Sequence, residues 1–218
     1  MHIIIVGLGG IGRNLVRVAV QDKNDVVVID KDERRCREVA MEYDVITIVG
    51  DATVGTTLEE AGASRADALI TTTSDDATNL MITLKAKEFG IKGIVSVVNK
   101  EEHLKMFRDA GVTVFENPDM LVAKQLYFAS RRPKVKDFLV SIGDGQAEGF
   151  ELVVEENSIA AGKSLSELKL KDAVVVAVQR NGELIIPKGD TVLRVGDTVT
   201  IFARPKYVEK ICSLFFSR

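Results

Sequence analysis

Six residues close to the amino terminus, Gly7-Leu8-Gly9-Gly10-Ile11-Gly12, have the spacing G-x-G-x-x-G. A glycine loop of this kind binds phosphate without side chains. Gly7 makes the tight turn, Gly9 lets backbone approach a pyrophosphate, and Gly12 allows a helix to pack closely on the preceding strand. The motif follows an apolar strand and opens a helical pattern, so its amides and the helix dipole face the phosphates. Eighteen residues beyond Gly12, a second apolar run ends in Asp30. A carboxylate there accepts hydrogen bonds from both hydroxyls of an adenosine ribose and repels a 2′-phosphate. Asp51 follows the third strand and Thr72, Thr73 and Ser74 follow the fourth, so all four stand at strand ends lining the same crevice. A plainer reading competes with this one. The glycines would only turn the chain, Asp30 would only cap the helix starting near Asp32, and Asp51 and the Thr-Thr-Ser run would cap loops.

Groups able to perform acid–base or nucleophilic chemistry are scarce. The chain has two histidines. His2 stands at the start of the first strand, away from its carboxyl end, and His103 reads as a solvated residue of a polar helix. None of Tyr43, Tyr127 and Tyr207 is followed four residues later by lysine, no serine forms a G-x-S-x-G elbow, and the second half contains no histidine. A hydride-transfer enzyme needs an acid–base group beside the nicotinamide, so the pattern points to a protein that binds nucleotide rather than transforms it. An NAD-dependent oxidoreductase is the alternative.

Composition narrows the class further. The 218 residues carry 29 basic against 32 acidic side chains, a net charge of -3, which gives no footprint for DNA or RNA. No helix-turn-helix with a basic face is visible, against a redox-sensing transcription regulator. Cys36 and Cys212 form no C-x-x-C pair and read as reduced thiols, with neither disulfide nor metal site expected. The start MHIIIVGLGG lacks the pattern of a signal peptide, and no apolar run approaches the ~20 residues of a spanning helix. A soluble, cytoplasmic protein is expected, at most peripheral to a membrane.

The elements that position these residues follow from the alternation of short β-branched runs with helix-period segments, the pattern of a doubly wound α/β Rossmann sheet. Strands are predicted at residues 2–6, 25–29, 45–49, 67–71, 93–97 and 112–115. Helical spacing marks the segments NLVRVAV and NLMITLKAKEF, and a last helix is predicted from Asn117-Pro118 through MLVAKQLYFA. The stretch SRRPKVKD, residues 130–137, reads as an exposed connector, which divides the chain into domains 1–134 and 135–218. The second is a small α+β domain with strands DFLVSI, FELVVE, AVVVAVQR, ELIIP and TVTIFA and brief helices at SLSEL and YVEKICSLFF. The terminal ICSLFF reads as a buried helix face.

The segments IIIVGLGGIG, VVVIDKDE, VGDAT, ADALITTTSDDATNL and AGVTVFENPDMLVAKQL, with AGKSLSEL and AVVVAVQRNGELIIPKGDTVLRVGDTVTIFARP, resemble the Trk/Ktr-type regulatory subunits of potassium uptake, the TrkA family. These are built from an RCK N-terminal and an RCK C-terminal domain. The resemblance covers nearly the whole chain. It implies a dimer that assembles into a cytoplasmic ring, commonly an octamer, beneath a separate membrane potassium-translocating subunit. NAD(H) or an adenine nucleotide, AMP, ADP or ATP, would be the regulatory ligand. The implied contacts are Gly7, Leu8, Gly9, Gly10, Ile11 and Gly12, then Asp30, Asp51 with Ala52, and Thr73 with Ser74. The C-terminal domain would serve regulation or dimerisation.

Two departures bear on which nucleotide is bound. Many ATP-preferring members carry arginine where this chain has Gly10, and many have arginine at the end of the fifth strand where this chain has Val97. Arg13 and Lys31 are the cations that could compensate, although both read as solvated helix residues. The site therefore suits NAD(H), AMP or ADP better than ATP.

Overall fold

The first strand, β1 (His2–Val6), is buried along its whole length, as expected of a central parallel strand covered on both faces. The computed structural model of the chain describes residues 1–131, 134–143 and 145–217, and at 114–116 the backbone alone. These residues fall into two compact units, Met1–Val122 and Ala123–Arg218.

In the first unit β1 is joined by β2 (Asp25–Asp30), β3 (Ile46–Val49), β4 (Ala68–Thr71), β5 (Gly93–Val98) and β6 (Thr113–Glu116). All pairings are parallel, and the strand order is β3-β2-β1-β4-β5-β6. This is the doubly wound Rossmann order, with its reversal between β1 and β4. Alternation along each strand builds two cores. Ile4, Val6, Val27 and Ile29 face one side with Leu58, Leu69 and Ile82, while Ile3, Ile5, Val26 and Val28 face the other with Val16, Cys36 and Val39. Each fully buried Ile or Val contributes about 1.5–3 kcal/mol, so this patterning commits the register.

Helix α1 (Gly10–Gln21) follows β1, α2 (Glu33–Glu42) follows β2, and α4 (Asp76–Glu88) follows β4. The short α3 (Gly55–Glu60) and α5 (Leu104–Asp109) are the helices of the crossovers that follow β3 and β5. Helix α6 (Pro118–Arg131) starts as expected, with Asn117 Oδ1 accepting from the Met120 amide at 3.0 Å. It runs two residues into the expected connector, whose Arg132 and Pro133 lie outside the described residues.

The second unit holds an antiparallel sheet of order β10-β9-β11-β8-β7, from β7 (Asp137–Ile142), β8 (Ala147–Val153), β9 (Ala173–Arg180), β10 (Glu183–Ile185) and β11 (Thr198–Ala203). Strand β8 begins three residues earlier than FELVVE suggested. Ala147 pairs with Ile142 and Glu148 with Ser141, so residues read as turn for their glycines extend the hairpin instead. Helix α7 (Leu165–Leu168) is closed by a capping box between Ser164 and Glu167. On α8 (Pro205–Phe215), Val208, Ile211, Cys212 and Phe215 are buried with Phe150, Leu152, Val199 and Ile201. ICSLFF is thus core. Among the described residues no helix is long and apolar enough to cross a membrane.

Candidate functional site

The turn between β1 and α1 is tight enough to require glycine at two positions. Gly7 has φ +92, and a side chain at Gly12 would place its Cβ 1.8 Å from the Gly7 carbonyl oxygen. Side chains at Gly9 and Gly10 would meet nothing within 4 Å, so the backbone there is bare toward open space. Gly9 caps α1 with no side-chain hydrogen bond, and the first backbone bond of the helix runs from Arg13 N to Gly9 O. The amides of Gly10, Ile11 and Gly12 are the ones a helix start leaves without intrahelical partners. They stand where an anion is favoured.

Neighbouring strand ends clamp this turn. Gly7 N donates to Ile29 O at 2.9 Å, and Thr72 Oγ1 donates to Gly7 O at 2.9 Å. Leu8 N donates to Asp30 Oδ2 at 2.6 Å, while Asp32 N donates to Asp30 Oδ1 at 2.8 Å. Asp30 is 9% exposed. It is not the cap of α2. Asp32 is, accepting from the Arg34 and Arg35 amides, so that part of the plainer reading is corrected. Each carboxylate oxygen has a second lone pair, and Asp30 keeps accepting capacity toward the crevice.

These strand ends enclose a crevice of about 450 Å³. Of the residues singled out in the sequence, Gly7, Gly9, Gly10, Ile11, Asp30, Lys31, Asp51, Ala52, Thr72, Thr73, Ser74 and Val97 line it. Leu8 and Gly12 do not: Leu8 is buried in the core beside Val16, and Gly12 is consumed by its contact with the turn. Lys31 is corrected from a helix-surface residue to a loop residue preceding α2. Its Nζ reaches across to Asp51 Oδ2 at 2.9 Å. The Lys31 ammonium, helped by the hydroxyl and amide of Thr53, lowers the Asp51 carboxyl to about 2. Arg13 is on the exposed face of α1, paired with Glu38.

Several lining residues had no signal in the motif. Arg35 reaches the crevice from the first turn of α2, with Nη1 3.7 Å from Asp30 Oδ2. Asp75, Thr78 and Asn99 line the side built by β4 and β5. Asn99 stands just beyond β5, and the rule that ligands meet strand carboxyl ends would have found it.

His103 is also corrected. It ends a 3₁₀ turn, Glu101–His103, and its Nδ1 donates to Asp76 Oδ2 at 2.8 Å. Burial pushes the Asp76 carboxyl up, but the Asn99 and Lys100 amides and the His103 imidazole outweigh it and hold it below its ordinary value. His2, buried at the opposite end of the sheet, sits between Asp25 Oδ2 at 2.6 Å and Ala61 O at 3.0 Å. Cys36 and Cys212 are buried thiols outside any disulfide, and among the described residues no group of His, Cys, Asp and Glu is arranged to hold a metal.

A doubly wound sheet with a glycine turn and an acidic second strand end defines a Rossmann-type domain, here followed by a small antiparallel α+β domain. Residues 3–118 match the TrkA-N domain and residues 150–215 the TrkA-C domain, and the chain belongs to the TrkA family. It is 32% identical over 216 residues to the Trk system potassium uptake protein TrkA homolog of Methanothermobacter thermautotrophicus, covering 99% of both chains. It is 36% identical over 224 residues to the TrkA homolog of Archaeoglobus fulgidus, where 99% of this chain covers 50% of the relative. The chain thus spans nearly all of one relative and half of the other. Both are named as potassium uptake proteins and not as enzymes. A solved structure named as the GsuK channel bound to NAD shares the fold, with a TM-score of 0.62 and 21% identity over 99% of this chain and 39% of that one.

Proposed function

We propose that the chain is the nucleotide-sensing regulatory subunit of a potassium transport system, cytoplasmic and peripheral to the membrane through its partner. NAD(H) or an adenine nucleotide would bind the crevice of domain 1–134. Domain 135–218 would serve regulation or dimerisation. Dimers assembled into a ring, octameric in the expected form, would control a separate membrane potassium-translocating subunit. The single observation that carries the reading is the intact glycine turn clamped by Asp30, in a crevice where no histidine, cysteine or tyrosine is among the lining residues.

The residues present fit a nucleotide. The bare amides at the start of α1 would take the pyrophosphate, Asp30 the adenosine ribose, and Asp51 with Ala52 the adenine edge. Thr73 and Ser74 would meet the far side of the ligand. The crevice lining includes two cations, Lys31 and Arg35, both on the β2 side and both close to a carboxylate, Asp51 and Asp30 respectively. The phosphate end is lined instead by glycine amides, Val97 and Asp75, which supports NAD(H), AMP or ADP over ATP. A ligand of this kind controls a ring only through its difference in affinity for two shapes.

The test is calorimetric titration of the purified chain with NADH, NAD, ATP, ADP and AMP, with light scattering for assembled mass and an assay for NADH consumption. Tight binding by a large oligomer without turnover is the expected result. Absence of binding to every nucleotide overturns the reading, and a dimer that consumes NADH replaces it with an oxidoreductase.

A further inference from the structure

The crevice has two halves. Gly7, Gly9, Gly10, Asp30 and Asp51 belong to the half built by β1, β2 and β3, and Thr73, Asp75, Val97 and Asn99 to the half built by β4 and β5. A doubly wound sheet of this order is two mononucleotide-binding halves back to back. A mononucleotide held by the glycine turn and Asp30 occupies the first half. Only a dinucleotide reaches well into the second.

The wall of the second half is set by a buried carboxylate. The side chain of Asp76 is 5% exposed and collects four hydrogen bonds. Oδ1 accepts from Asn99 N and Asn99 Nδ2, both at 2.8 Å, and Oδ2 accepts from Lys100 N at 3.0 Å and His103 Nδ1 at 2.8 Å. Asn99 Nδ2 also lies 3.3 Å from Thr73 O, which ties the β5 loop to the β4 loop across the crevice. Asn99 therefore spends its amide donors inward, and among the described residues its Oδ1 accepts no hydrogen bond. His103 does not line the crevice, is 30% exposed, and has its other ring nitrogen 3.7 Å from Glu102 Oε1.

We propose that His103 is a positioning residue for the second half of the crevice, acting through Asp76 to hold Asn99, and that it sets the preference of the site for a dinucleotide over a mononucleotide. The chemistry is that of a fixed acceptor. With His103 in place, Asp76 keeps both oxygens committed and Asn99 presents Oδ1 to the hydroxyl or amide donors of the second nucleotide half. Without it, one oxygen of a buried carboxylate loses a donor and competes for the Asn99 amide. The effect is confined to the half that a mononucleotide does not fill.

This inference rests on the nucleotide-binding reading, and the experiment separates the two. NAD and AMP are titrated into the full chain and into His103→Ala, His103→Asn, His103→Gln and Asn99→Ala, with thermal unfolding of each. His103→Ala is expected to weaken NAD by about tenfold, the scale of one charge-assisted hydrogen bond, and to leave AMP unchanged. His103→Asn, whose amide nitrogen replaces Nδ1, restores NAD affinity, and His103→Gln does not. Asn99→Ala reproduces the loss, and the double variant adds nothing to it. An unchanged ratio of NAD to AMP affinity in His103→Ala, or equal loss of both ligands, overturns the positioning role. A parent chain that binds neither NAD nor AMP overturns this inference, and the nucleotide reading falls with it only where NADH, ADP and ATP also fail to bind.

Discussion

The Asp30 carboxylate accepts the Leu8 amide at 2.6 Å and the Asp32 amide at 2.8 Å, so the end of β2 and the glycine turn are fastened to each other before any ligand arrives. Asp30 is thus part of the turn's construction as well as a candidate ribose contact. Asp30→Ala strands two amides at the crevice floor. Each lost partner costs about 1–3 kcal/mol, so the variant is expected to unfold at lower temperature and to lose nucleotide binding together. Calorimetry and thermal melts on the same preparation check this, and a variant that binds as tightly as the parent would remove Asp30 from the site.

Gly12 has no room for a methyl group. A Cβ there would lie 1.8 Å from the Gly7 carbonyl oxygen, with further backbone at 2.9 Å. Gly12→Ala must spread α1 from β1, at a cost of about 1–3 kcal/mol or more, and distort the anion site. Gly10→Ala is the control, since its Cβ meets nothing within 4 Å. Denaturant unfolding is expected to separate the two variants clearly.

The Lys31–Asp51 pair has a defined pH signature. The folded state lowers Asp51 from 3.8 to about 2, with the Lys31 contact as the largest cause. A depressed carboxylate contributes stability above its unfolded value and loses it as pH falls toward the folded one. The difference in unfolding midpoint between the parent and Asp51→Asn should be constant above about pH 5 and shrink progressively as pH falls through 3.8 and about 2. Both side chains are substantially exposed, so the difference is small and shrinks in salt. A gap as large at pH 2 as at neutral pH contradicts the assignment.

In the second unit, Asp197 is buried, and its carboxylate is held below the ordinary range. Burial pushes it up, but the Arg180 guanidinium and the Arg194 amide outweigh that. The guanidinium bonds both oxygens, at 2.8 and 2.7 Å, and also reaches Val192 O at 2.9 Å. Arg180→Met leaves that charge without its partner, at a cost of about 3–5 kcal/mol. Urea unfolding of the full chain should show the loss, while AMP affinity stays at the parent value because the crevice belongs to the first unit.

Much of the first unit was legible from the chain because its signals are local. Runs such as HIIIV and DVVVID announce strands buried on both faces, and G-x-G-x-x-G followed by Asp30 announces the turn and its acidic partner. Both depend only on residue type and spacing. The second unit was read nearly as well where strands alternate cleanly, as in AVVVAVQR and TVTIFA. The reading slipped at β8, where glycines that look like a turn are paired into a hairpin.

What spacing alone determined was the strand–helix alternation of a doubly wound sheet, the glycine turn and the strand ends that border the crevice, whereas the strand order came from the structure. Tertiary structure alone decided which side chains converge there. Lys31 meets Asp51, Arg35 comes within reach of Asp30, and His103 meets Asp76 only because parallel strands bring loops distant in sequence to one edge of the sheet. The physical reason is that strand and helix periods are properties of neighbouring residues, whereas a hydrogen bond between residues 76 and 103 is fixed by crossover geometry that no local pattern records.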